Sequence, residues 1–347
     1  MRILVFGDTH WSATSSIVRS RGHKYTTRLE NLINSLNWIQ QVSVEKKCDE
    51  IVCLGDFFDR CNLDAEEISA LKEINWNNNI LSHFIVGNHE YARVYTVFNS
   101  TDALYSRANI QIEDKPYKHS IDDKTDLYFI PYMIEDERKE LKEYLTDFDP
   151  NKKHIVFSHN DIKGIQYGMF ESKEGFTLSE IENNCDLYLN GHLHNGSFLN
   201  EKKTILNVGN LTGQNFGEDA FRYEHHIVIL DTDTLEMEFI ENPFAFNFYK
   251  VEINQESDLS ILDNLKNNTV ISIKCAENYV DKLKEKLNSL SNIVESKVIL
   301  HRVITTEETD TKVELGNNDY LNQFSEFIVE KLGSTDVVKY ELAEVCK

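Results

Sequence analysis

The chain has 347 residues, and its 36 basic and 58 acidic side chains give a formal net charge of −22. At 41% hydrophobic and 11% aromatic it has ordinary globular composition, which excludes wholesale disorder, and its length suits one large domain or two. That charge excludes nucleic-acid binding through bulk electrostatics, because phosphate contacts need local Lys and Arg, and no apolar run approaches the roughly 20 residues of a membrane span.

Ile3 to Phe6 reads as a buried strand. Leu29, Leu32, Ile33, Leu36, Ile39 and Val42 follow helical spacing. Ile51 to Leu54 is a second strand, residues 64–76 a second helix, and Phe84 to Val86 a third strand. Leu127 to Ile130, His154 to Phe157 and Leu187 to Leu189 repeat the pattern, which predicts an α/β layered fold. Pro116 and Pro150 fall in polar loop stretches, and Pro131 ends a strand. Past residue 245 the polar motifs stop, so a division into 1–245 and 246–347 is expected. There Thr269 to Cys275, a helical stretch over 278–290 and Lys297 to Ile304 read as a small β-α-β unit, with a further helix over 320–332. The opening MRILVFGDTH turns polar after six residues, too short for a signal-peptide core, so a cytoplasmic location is expected. Six scattered cysteines with no CxxC pair read as reduced thiols.

Five short motifs each follow an apolar run. They are GDTH (Asp8, His10), GDFFD (Asp56, Asp59), GNHE (Asn88, His89), SHND (His159) and GHLH (His192, His194). Strand ends share one rim of an α/β sheet, so five such motifs should converge there. Singly each has a bland reading: Asp8 as a strand-end cap, GNHE as a turn, His192 and His194 as a surface pair. As an ordered set they point to metal. Asp, His and Asn offer hard oxygen and borderline nitrogen donors without thiolate, which favours Mn²⁺, Fe²⁺, Zn²⁺ or Mg²⁺. Seven candidates (Asp8, His10, Asp56, Asn88, His159, His192, His194) exceed one open metal site and suit two ions sharing a carboxylate. His23, His83, His119, His154, His225, His226 and His301 carry no motif, and packing or solvent exposure is expected for them.

The ordered set resembles the calcineurin-like metallophosphoesterases over roughly residues 1–215. The resemblance implies two sheets packed between helices and a dinuclear site at the strand ends. Carried over position by position, it assigns Asp8, His10 and His194 to one metal and Asn88, His159 and His192 to the other, with Asp56 bridging. His89 would protonate a leaving oxygen, and Asp59 resembles the family's supporting carboxylate.

Within the superfamily two branches compete. GDFFDR with GNHE resembles phosphoprotein phosphatases, in which Arg60 would bind phosphate, but Trp11 and GHLH depart from that branch. The SbcD/Mre11-type DNA nuclease subunits, bacterial or phage, are the closer likeness. FIPYM (Phe129 to Met133) and NVGNLTGQNFGED (Asn207 to Asp219) resemble their later segments, with Asn210 in place of the usual Ser. This likeness implies manganese, or magnesium, as cofactor, phosphodiester hydrolysis of DNA, a homodimer and an SbcC/Rad50-type ATPase partner. Phe324, Phe327, Ile328 and Leu332 lie at helical spacing, suited to packing on their own domain or to docking that partner. A metal-dependent phosphoprotein or small-molecule phosphatase is the alternative. A catalytically dead binding module is disfavoured, since no ligand position is substituted. Between Trp11 and Arg28 there is no acid, while Arg19, Arg21, Lys24 and Arg28 cluster there. This stretch, with Arg60, is the expected grip on DNA phosphates.

Overall fold

The computed structural model describes residues 1–301 except residues 16, 19–21, 92–98, 106–108 and 168–169. Two six-stranded sheets face each other. The first runs Met237–Glu241, His226–Asp231, Arg2–Phe6, Glu50–Cys53, Leu81–Ile85, Ile110–Glu113, and its last four strands are mutually parallel. The second runs Ser197–Phe198, Ile205–Asn207, Leu187–Asn190, Lys153–Ser158, Thr125–Ile130, Tyr117–Ser120, with a parallel centre and antiparallel edges.

Alternation along each strand decides which face meets which layer. Ile3, Val5, Val52, Leu54 and Ile85 point inward to meet Leu127, Phe129, Ile155, Phe157, Leu187 and Leu189 of the second sheet. Leu4, Phe6, Ile51, Cys53 and Phe84 point outward, against Leu29, Leu32, Leu36 and Ile39 of the helix Thr27–Glu45. Both faces of the central strands are buried, which is why they read as continuous apolar runs. On the second sheet's outer face, Tyr128, Val156 and Tyr188 pack with Leu141 and Ile181 of the short helices Leu141–Tyr144 and Leu178–Asn184. The result is the two-sheet sandwich between helices that the resemblance implies.

Three sequence expectations are corrected. The helix expected over 64–76 is α-helical only over Ala65–Ala70, with a 3₁₀ turn Leu71–Glu73. Beyond it, Asn37 and Gln40 of the long helix accept the backbone N–H groups of Asn75 and Asn77, so side chains capture the chain where helical bonds would have formed. The polar stretch beginning at Pro116 is not all loop. Tyr117–Ser120 adds an edge strand, with no residue fully buried and no apolar run to announce it. The region after 245 holds a parallel sheet of Asn247–Ile253, Thr269–Ala276 and Ile293–His301, one strand more than expected. The helix Val280–Ser289 covers it through Leu283, over a core of Tyr249, Val251, Ile271 and Ile273. The expected helix over 320–332 lies outside the described residues. No helix among the described residues is long and apolar enough to cross a membrane.

One motif-free histidine is not bland. His83 is buried between the two sheets, stacked on Phe129 with ring centroids 4.3 Å apart. Its Nδ1 lies 2.7 Å from Glu113 and its Nε2 3.5 Å from Glu50. Burial works against the imidazolium, but Glu113 and Glu50 outweigh it and raise the His83 pKa above its usual value. The charge of His83 therefore stabilises the fold fully below about pH 6.5, and that contribution fades as pH rises through the higher folded value. His83→Gln should cost about 3–5 kcal/mol at pH 6 by taking the countercharge from buried Glu113 and leaving Glu50 with His119 alone. Urea melts of wild type and variant should show the gap narrowing by pH 9, and a gap independent of pH would refute the charged reading.

Candidate metal centre

The parallel strands deliver their motifs to one rim, and the loops lock together there. The Asp8 carboxylate accepts the backbone N–H of His192 at 2.9 Å, and Asp56 Oδ1 accepts that of His89 at 3.0 Å. Glu90 accepts three backbone N–H groups, from Gly87 (2.6 Å), Phe58 (2.8 Å) and Asp56 (3.2 Å), and so ties GNHE to GDFFD. Burial, with the Asp56 charge beside it, pushes the Glu90 carboxyl up to about 8 against those donors. Glycine lets the loops approach. A Cβ on Gly87 would sit 2.2 Å from Asp56 Oδ1, and one on Gly191 would sit 2.6 Å from the Leu54 carbonyl oxygen.

Four of the seven candidates carry left-handed backbone: Asp8 (φ 48°), His10 (47°), Asp56 (46°) and His192 (75°). Asp and His tolerate this region better than most residues. Such backbone concentrates at functional sites, where the surrounding structure imposes it.

The side chains form two half-sites. Ligand atoms of Asp8, His10 and His194 all lie within 4.8 Å of one another, as do those of Asp56, His159 and His192. Asn88 Oδ1 joins the second half, 3.2 Å from His159 Nε2 and 3.0 Å from His192 Nδ1. Asp56 Oδ2 lies between the halves, 3.2 Å from His159 Nε2 and 3.8 Å from His10 Nε2.

The ring nitrogens turned away from the centre are each held. His194 Nδ1 meets Glu218 at 2.8 Å, His159 Nδ1 the Leu54 carbonyl at 2.7 Å, His10 Nδ1 Asp59 at 3.3 Å, and His192 Nε2 Asp161 at 3.3 Å. A hydrogen-bonded acceptor at the outer nitrogen, as at His159 and His194, fixes the proton there and turns the other nitrogen inward, whereas Asp59 and Asp161 lie at ion-pair distance. His10 Nε2 and His194 Nε2 then face each other at 3.1 Å, a separation that a shared proton or a metal ion between them would satisfy. Asn88 Oδ1 and Asp56 Oδ2 likewise face the inner nitrogen of His159. Acceptors gathered in this way call for a cation, a proton on His159 in the free protein or metal in its place, and the donor set fits two divalent ions of the hard-to-borderline class. The field agrees. Burial disfavours a charged His159, but Asp56 outweighs it and pushes that imidazole up to about 10, while His159 and His10 hold Asp56 far below the usual carboxylate range. Burial dominates at His10 and lowers its pKa.

The two residues expected to be catalytic also lie here. His89 Nδ1 donates to the Asp59 backbone carbonyl at 2.8 Å, and its ring stands edge-on to His10, centroids 4.7 Å apart. The cations expected to bind DNA divide. Arg60 Nη2 reaches Glu67 at 2.6 Å while its Nη1 donates to Ser12. Lys24 pairs with Glu73. Arg19 and Arg21 lie outside the described residues. Sequence reading missed the carboxylates behind the histidines. Glu90 and Asp161 stood unread inside GNHE and SHND, and Glu218 inside FGED. The intervening Asn207 side chain donates to the carbonyls of Leu193 and Asn195 and so braces the GHLH loop.

A model of the calcineurin-like phosphoesterase family matches residues 1–196, more than half of the chain, and the chain belongs to that family. No curated protein matches it. Among solved structures it is similar to the TT1561 protein of Thermus thermophilus, at 9% identity and a TM-score of 0.42 over 69% of this chain and 98% of that one. It is also similar to a dimetal phosphatase from Danio rerio, at 12% identity and a TM-score of 0.40 over 70% of this chain and 98% of that one.

Asp56→Asn should weaken both metal-binding events, because its carboxylate faces both halves, and His194→Ala should remove one. Metal analysis of the folded proteins checks this, and two ions retained at wild-type affinity in either variant would refute the assignment. Gly87→Ala should act like Asp56→Asn by displacing that carboxylate.

Proposed function

We propose that this calcineurin-like phosphoesterase is a DNA nuclease subunit of the SbcD/Mre11 type, hydrolysing phosphodiester bonds with two divalent ions, manganese foremost. Asp8, His10 and His194 would hold one ion, Asn88, His159 and His192 the other, and Asp56 both. The observation that carries this reading is Glu218. The segment that resembles the nucleases in sequence supplies the carboxylate on His194, so it is built into the centre rather than attached beside it. Arg60 adds support. A phosphatase of the phosphoprotein type would need that guanidinium for phosphate, whereas here Glu67 and Asp64 neutralise it.

When bound, the two ions would lower the pKa of water and neutralise charge on the phosphoryl oxygens. The chain's own part is orientation and proton delivery. The Asp59 carbonyl fixes the His89 proton at Nδ1, which leaves Nε2 to take up and release the proton destined for the leaving oxygen. The Asp59 carboxylate meanwhile faces His10, so one residue sets both a ligand and the acid.

We further propose action in the cytoplasm (the host's, if phage-encoded), a homodimer, and an SbcC/Rad50-type ATPase partner served by the region 246–347. With Mn²⁺, the protein should degrade linear duplex DNA and leave p-nitrophenyl phosphate nearly untouched, and the reverse preference would establish a phosphatase. His89→Ala should keep both ions and lose about 10²–10⁴-fold in rate. Loss of an ion in that variant would make His89 a ligand instead.

A further inference from the structure

Arg28 is the one buried Arg or Lys among the described residues, 5% exposed, so it is not the exposed phosphate contact that its place in the basic stretch suggested. It stands in the first turn of the helix Thr27–Glu45, and its Nη2 donates to the His10 carbonyl at 3.2 Å. Among the described residues no carboxylate lies within ion-pair distance of it, yet the charges it feels most are those of Asp59 and Glu218. These are the carboxylates on the outer nitrogens of His10 and His194, the two histidines whose inner nitrogens face each other at 3.1 Å.

A buried guanidinium is costly unless its charge is matched. The centre supplies the match. Besides Glu90, whose carboxyl is pushed up to about 8, five carboxylates surround it: Asp8, Asp56, Asp59, Asp161 and Glu218. Two divalent ions would offset four of those five charges, and Arg28 is the fixed cation placed to take up the fifth.

We infer that Arg28 is a positioning residue for the half-site of Asp8, His10 and His194. Its bond to the His10 carbonyl holds that residue's left-handed backbone, and its charge keeps Asp59 and Glu218 turned toward the two imidazoles. The inference rests on the reading of these residues as a metal centre, but not on DNA as the substrate, and it is tested without substrate.

Mn²⁺ titrations followed by calorimetry and electron paramagnetic resonance should resolve two binding events in the wild type. Arg28→Met keeps the length of the side chain and removes its charge. A guanidinium acting as a bare charge would repel the ion, so its loss would tighten binding. A positioning guanidinium gives the opposite sign: one event weakened roughly 10–100-fold, the range for lost supporting contacts, and the other unchanged. Arg28→Lys, which keeps the charge and loses the fork, should fall between, and it serves if the methionine variant does not fold. Glu218→Gln should weaken the same event, and the Arg28→Met/Glu218→Gln double variant should be no weaker than the worse single. Two wild-type affinities, tighter binding, or fully additive losses would each overturn the inference, whatever the enzyme cleaves.

Discussion

Acceptors crowded together without donors repel unless a cation lies among them, and the architecture is organised around that condition. His10 Nε2 against His194 Nε2, and Asn88 and Asp56 against the inner nitrogen of His159, are pairs that the protein alone can hold only with protons between them. They persist because the outer nitrogens are fixed by Glu218, Asp59, Asp161 and the Leu54 carbonyl. Those partners all lie in loops outside the strands of the two sheets. The sandwich core of Ile3, Val5, Leu54, Phe129 and Phe157 is therefore more than a source of stability. It holds two sheets at the separation at which Leu54 can reach His159.

The supporting layer also accounts for the acidity at the centre. Each carboxylate behind a histidine adds negative charge to a region that already holds Asp8 and Asp56. Burial would neutralise such groups, and Glu90, pushed up to about 8, shows that pressure. Asp59 and Glu218 sit below their usual range despite burial because His10 and His194 face them. Metal binding at this candidate centre and carboxylate ionisation would thus support each other across the same imidazoles.

The metal motifs were legible because each combines a strand, a glycine and a hard donor within a few residues, so local pattern carries the whole signal. The central strands were legible for a similar reason: burial on both faces leaves unbroken apolar runs such as Ile51 to Leu54. What could not be read depends on distant chain. Glu218 meets His194 across 24 residues, and Arg28 reaches His10 from a helix that looks simply amphipathic. Tyr117–Ser120 is a strand only because Thr125–Ile130 offers it an edge. The helix over 64–76 stops early because amide side chains from another helix bind its backbone. Periodicity is silent on such partners.

The left-handed backbone at Asp8, His10, Asp56 and His192 has a consequence for how this centre can vary. If the centre holds metal as proposed, a residue at those positions must satisfy two tests at once, donating to an ion and occupying a conformation that β-branched side chains resist. The usable alphabet shrinks to Asp, Asn, His and little else. Asn88, His159 and His194 face only the chemical test. Drift in metal preference should thus enter through those three positions, while the other four stay frozen by geometry even in a descendant that has abandoned catalysis.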